Sequence, residues 1–151
     1  MFGWRRFIAL ALLLLVGVSL AYTWVASRQQ RPGELGPAGA VLVCYFHSGT
    51  CCATCDKIEH FSYQAVGQAF SEQLRDGRLV WRDINYEEPE NAQWAKEFRV
   101  LTACIVLVDT RGGGPPDFKN LQPQVWNLVQ KDDTQGIIAL VQNETRAMLG
   151  R

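Results

Sequence analysis

No basic run occurs anywhere in this sequence. Its 15 Lys/Arg and 15 Asp/Glu cancel, and Arg5, Arg6, Arg28 and Arg31 all precede the first acidic residue, Glu34. The chain beyond Arg31 holds eleven Lys/Arg against fifteen Asp/Glu, about −4. A nucleic-acid binder presents a basic stripe, so this acidic body excludes that class. Histidine is scarce, with two in the chain, and neither a second Cys-x-x-Cys nor a His pair at zinc spacing is present, which argues against a structural zinc site. There is no internal repeat, and low complexity is confined to the glycines at 112–114. At 151 residues with 48% apolar content, the chain can bury one ordinary core and has little room for two.

The amino end carries the longest uncharged stretch, FIALALLLLVGVSLAYTWVA, at residues 7–26. As a helix it spans roughly 30 Å, the thickness of a hydrocarbon layer. Arg5 and Arg6 in residues 1–6 favour a cytoplasmic amino terminus, Arg28 and Arg31 soften that bias, and Trp4, Tyr22 and Trp24 suit the two interfaces. The expectation is a single transmembrane signal-anchor, with the rest of the chain on the extracytoplasmic side of the membrane. Ser19-Leu20-Ala21 offers the competing possibility of a cleaved signal peptide. Residues 27–39, SRQQRPGELGPAG, read as a flexible tether too polar and too interrupted to pack. The folded domain is then residues 40–151.

In that domain AVLVCYF (residues 40–46) is a continuous apolar run suited to a strand buried on both faces. Apolar residues then recur at Ile58, Phe61, Ala65 and Ala69, with Val66, Phe70 and Leu74 alongside, a helical stripe ended by Gly77 and bent or broken at Gly67. RLVWRDI (78–84) predicts a second strand, Ala92, Ala95 and Phe98 a short helix, CIVLVD (104–109) a third strand, and DFKNL (117–121) an edge strand. Helical spacing returns at Val125, Trp126 and Val129 and again from Ile137 to the end. The predicted order, β-α-β-α-β-β-α, implies a parallel first pair with a right-handed crossover and a later hairpin: an α/β sandwich on one mixed sheet.

Four of the five cysteines fall within CYFHSGTCCATC, residues 44–55. The Cys-x-x-Cys of Cys52 and Cys55 opens the first helix, where unpaired N–H groups and partial positive charge favour a thiolate. Cys52 at the helix mouth is the candidate nucleophile, and Cys55, one turn further in, the resolving thiol. A static disulfide or half a metal site are the competing readings, though so short a closed loop constrains the unfolded chain little. Cys51 reads as an exposed loop thiol that could compete with Cys52. His47, at the end of the first strand, is a candidate for favouring the thiolate or for hydrogen-bonding its own loop. Cys44 and the rings of Trp81, Trp94 and Trp126 read as core or groove residues, and Glu59 and His60 as facing water.

A Cys-x-x-Cys where a strand feeds a helix resembles the thioredoxin superfamily. DINYEEPENAQWAKEFRV adds a second likeness, a strand ending in an acidic or Asn turn and a helix closing on Ala95, Phe98 and Val100. More narrowly, YFHSGTCCATCDKIE, the EEPEN turn and FKNLQPQVWNLV resemble the nitrophenyl compound nitroreductase subunit ArsF family of small anchored bacterial proteins. The resemblance implies a thioredoxin-like three-layer sandwich after the transmembrane helix, thiol-disulfide exchange with protein thiols, disulfides or a membrane redox partner, and no cofactor. Ala53-Thr54 stands in place of the Gly-Pro common in thioredoxins. Counted from Val100, Cys104 occupies the place of that family's cis-proline, facing the disulfide. A third thiol there, with Cys52 and Cys55, would suit Cu(I) or As(III); an apolar packing role is the plainer alternative. The rival functions are therefore a soft-metal thiolate module and a redox-inert partner subunit.

Overall fold

A computed structural model describes residues 34–50 and 52–151. The expected anchor at 7–26, most of the tether and Cys51 lie outside the described residues. Among the described residues, no helix is long and apolar enough to cross a membrane. The elements run β1 (Val41–His47), α1 (Ala53–Ala69), α2 (Ser71–Asp76), β2 (Leu79–Asn85), α3 (Ala92–Glu97), β3 (Cys104–Asp109), β4 (Asp117–Asn120), α4 (Gln122–Gln130) and α5 (Thr134–Leu149).

The four strands form one mixed sheet in the order β2-β1-β3-β4. β1 pairs parallel to β2 and antiparallel to β3, and β3 and β4 form the antiparallel hairpin. β1 reads as an unbroken apolar run because it is interior to the sheet and covered on both faces: Val41 to Phe46 are all buried. Alternation divides its side chains. Val41, Val43 and Tyr45 join Ile58, Ala65, Val125, Ile137 and Val141 under α1, α4 and α5. Leu42, Cys44 and Phe46 face the other way, with Ile84, Phe98, Val106 and Val108 beneath α3. The chain is α/β, with helices on both sides of a mixed sheet. Phe98 anchors the second face through ring contacts with Phe46, Trp94 and Phe118. Burying each such ring contributes about 1.5–3 kcal/mol.

Three local departures from the sequence expectation have physical causes. The break after the first helix falls at Phe70 rather than Gly67, because the Phe70 ring turns into the core and its backbone leaves helical geometry at φ −134°, ψ 31°. Gly67 stays inside α1 with open space around it. The carboxyl-terminal segment is two helices: Asp132 takes a left-handed φ of 55°, and Asp133 accepts the Gly136 N–H at 2.8 Å to cap α5. A Cβ at Gly136 would collide with that Asp133 carboxylate, so the cap requires the glycine. Residues 34–39, assigned by composition to the tether, lie on the domain. Leu35 is buried with the second cluster, the Glu34 carbonyl accepts from the Arg82 guanidinium, and Gly39 donates to the Thr110 carbonyl at 3.1 Å.

Candidate active site

Cys52 is the residue that starts α1. Its backbone is extended (φ −119°, ψ 159°), and its sulfur accepts the Cys55 N–H at 3.4 Å, the capping role that Ser or Asp usually fills. One helical turn brings Cys55 back beneath it, and the two sulfurs are 2.7 Å apart. Cys52 is exposed and Cys55 is buried. This difference splits two chemically identical groups. The Cys55 thiol bonds to the Cys52 sulfur, and with the N–H groups of Cys55 and Thr54 it holds Cys52 below the ordinary thiol value of 9.0, against the opposing charge of Asp56. Burial, then the same sulfur–sulfur bond, pushes Cys55 above it. The outer sulfur is therefore the one that ionises first, and the inner one holds its proton more tightly.

The surroundings hold this turn in place. Tyr45, on the α1 face of β1, donates its hydroxyl to the Cys55 carbonyl at 3.2 Å. Its ring stacks on His47 with centroids 5.4 Å apart and on Trp81 at 6.5 Å. His47 directs Nε2 to Asp83 at 2.7 Å and Nδ1 to the Ser48 carbonyl at 2.7 Å, so both ring nitrogens are engaged by its own loop and by β2. The loop before the cysteines is braced by the acidic turn after β2, where Glu87 accepts the Gly49 N–H at 2.8 Å. The Trp126 indole, on α4, donates to the Ala103 carbonyl at 2.8 Å just before β3.

Cys104 is not brought to the pair. It opens β3 opposite Phe46 in the register, and its side chain belongs to the cluster beneath α3 together with Cys44. Ala103 is the residue that shares the apolar cluster of Cys55. Successive residues of an extended chain point to opposite faces, which puts Ala103 and Cys104 on opposite sides of the sheet. Burial pushes the thiols of both Cys44 and Cys104 up to about 12. The three-thiol set of Cys52, Cys55 and Cys104 therefore does not assemble, and no other cluster of three or more His, Cys, Asp or Glu suited to a metal occurs among the described residues.

No family model, curated protein or solved structure matches this chain. Its chemistry has to be read from the geometry. His60 is exposed and Glu59 half-buried on α1, away from the role of capping the pair. Tyr45 is a site residue that the cysteine spacing does not reveal. The period-two alternation of β1, with Val41 and Val43 on the helix side, carries the signal that puts it there.

Proposed function

We propose that the chain is a thioredoxin-like thiol-disulfide exchange protein, tethered to a bacterial inner membrane through residues 7–26 and working outside the cytoplasm. The observation that carries this reading is the unequal pair at the start of α1, with an exposed, thiolate-favouring Cys52 in contact with a buried, proton-holding Cys55. In the reducing direction the Cys52 thiolate attacks one sulfur of a partner disulfide, forming a mixed disulfide and expelling the partner's other sulfur as a thiolate. Cys55 then gives up its proton and attacks Cys52, closing the intramolecular disulfide and releasing the second partner thiolate. Two electrons pass to the partner and none is left over. The oxidising direction is the same sequence reversed. The strand-loop-helix placement, the mixed sheet with helices on both faces and the likeness of the EEPEN turn support a thioredoxin-like fold, and the resemblance to the ArsF family supports the membrane tether.

The test is a titration of the purified protein across glutathione ratios, with alkylation of free thiols and mass mapping of the products. A reversible two-electron couple confined to Cys52 and Cys55 is the expected result. If no Cys52–Cys55 disulfide forms at any ratio, the exchange function is wrong.

A further inference from the structure

The peptide unit joining Cys55 to Asp56 is held at both ends. Its carbonyl oxygen receives the Tyr45 hydroxyl at 3.2 Å, and its N–H donates to the Cys52 carbonyl at 2.9 Å. The neighbouring peptide N–H, that of Cys55, is the one that donates to the Cys52 sulfur at 3.4 Å. Cys55 thus sits between two peptide planes, one fixed from the strand side and the other aimed at the reactive sulfur. The helix already uses the Cys55 carbonyl as an acceptor for the residue one turn on. The phenol is an additional donor, delivered from a different element. Tyr45 is 1% exposed, and its ring is stacked on both His47 and Trp81, so the hydroxyl is delivered by a clamped side chain.

We infer that Tyr45 is a positioning residue for the Cys52/Cys55 pair, acting through the Cys55–Asp56 peptide to keep the Cys55 N–H and thiol aimed at the Cys52 sulfur. It never needs to touch a partner. Its redox readout rests on the exchange function proposed above, whereas its effect on the thiolate does not. Hydrogen bonds of this kind change an equilibrium by a factor of about three to ten.

Tyr45→Phe keeps the ring and removes the donor. At a pH below the Cys52 midpoint, the thiolate fraction read by ultraviolet absorbance of the reduced protein should fall by about threefold to tenfold. The glutathione equilibrium should move toward the disulfide by a similar factor, because the reduced form loses its stabilised anion. Placing 4-aminophenylalanine at position 45 restores a donor and should restore both values, which a purely packing role would not produce. An unchanged thiolate fraction in Tyr45→Phe overturns the inference. A protein with no disulfide couple but a Tyr45-dependent thiolate overturns the exchange function and leaves Tyr45 in its role. Should Tyr45→Phe fail to fold, tyrosine-labelled wild-type protein decides the matter by NMR. The Tyr45 ring signals should follow Cys52 ionisation while those of Tyr86, in the opposite apolar cluster, stay still; a silent Tyr45 overturns the inference.

Discussion

The backbone N–H of Cys55 points at the sulfur of Cys52 across 3.4 Å, so the buried residue of the pair stabilises the exposed one through its main chain as well as its thiol. Alkylation of the reduced protein should therefore modify Cys52 much faster than Cys55. Cys55→Ser should accumulate mixed disulfides with partner proteins and Cys52→Ser should not. The comparison belongs in a Cys51→Ser background. Equal labelling rates with no trapped partner in either variant would point to a static bridge instead.

The same asymmetry gives a pH profile. Cys52 is held below 9.0, so its alkylation rate should reach half-maximum at a pH below that of an ordinary thiol. Replacing Asp56 by Asn removes the carboxylate that opposes the Cys52 anion and should move the midpoint lower still. A midpoint at or above the ordinary thiol value in the unaltered protein would contradict the capping geometry.

Burial of the two thiols beneath α3 makes folding stability fall in alkali. Cys44 and Cys104 are pushed from 9.0 to about 12, so their contribution is complete below 9.0. Above it the unfolded chain releases protons that the folded chain retains, and stability drops until the folded thiols ionise near 12. The slope is about 1.4 kcal/mol per pH unit for each thiol. Urea unfolding of the reduced protein at a series of pH values should show this decline. The double variant Cys44→Ala/Cys104→Ala should show a shallower one.

Because Cys104 faces away from the pair, Cys104→Ser should leave exchange kinetics and Cu(I) or As(III) affinity at their wild-type values. It should lower stability by about 1–3 kcal/mol, since a hydroxyl replaces a thiol in an apolar cluster. A loss of metal affinity in this variant would require Cys104 on the same side of the sheet as Cys52.

If residues 7–26 form an uncleaved anchor, the protein should stay in the membrane fraction through salt and carbonate washing. A mature amino terminus at Tyr22 would instead identify a removed signal peptide.

Much of the sheet was legible from local chemistry. The strands around Val41 and Cys104 are continuous apolar runs, and Gly77 ends α2 with a left-handed φ of 80° as its position after the helical stripe suggests. The illegible parts depended on competition between local and tertiary terms. Gly67 has the weaker helix propensity, yet the break occurs at Phe70, where a ring gains burial by leaving the helix. Asp132 and Asp133 divide the last helical stretch through backbone and side-chain bonds that no apolar period records. In the site, the contact of Cys52 with Cys55 and the greater exposure of Cys52 followed from their place at the head of a helix. For Cys104 the sequence left core packing and a place beside the pair both open, and the pleat of the sheet puts it in the apolar cluster with Cys44. Tyr45 looked like another apolar member of β1, and its function depends on a hydroxyl contact that only folding supplies.

The sheet also acts as a partition between sulfurs. Consecutive residues of β1 put Tyr45 on the side of Cys55 and Cys44 on the other, and Ala103 and Cys104 part in the same way where β3 begins. A sheet is one chain thick, and the side-chain layers above and below it do not interpenetrate. Among the described residues, a disulfide forming at the head of α1 has no third thiol within its own compartment to scramble with, the sulfur of Met148 on that side being an unreactive thioether. The inner thiols of Cys44 and Cys104 are shielded by the backbone that positions the outer pair, so among the four described cysteines Cys52 and Cys55 have only each other as a thiol neighbour.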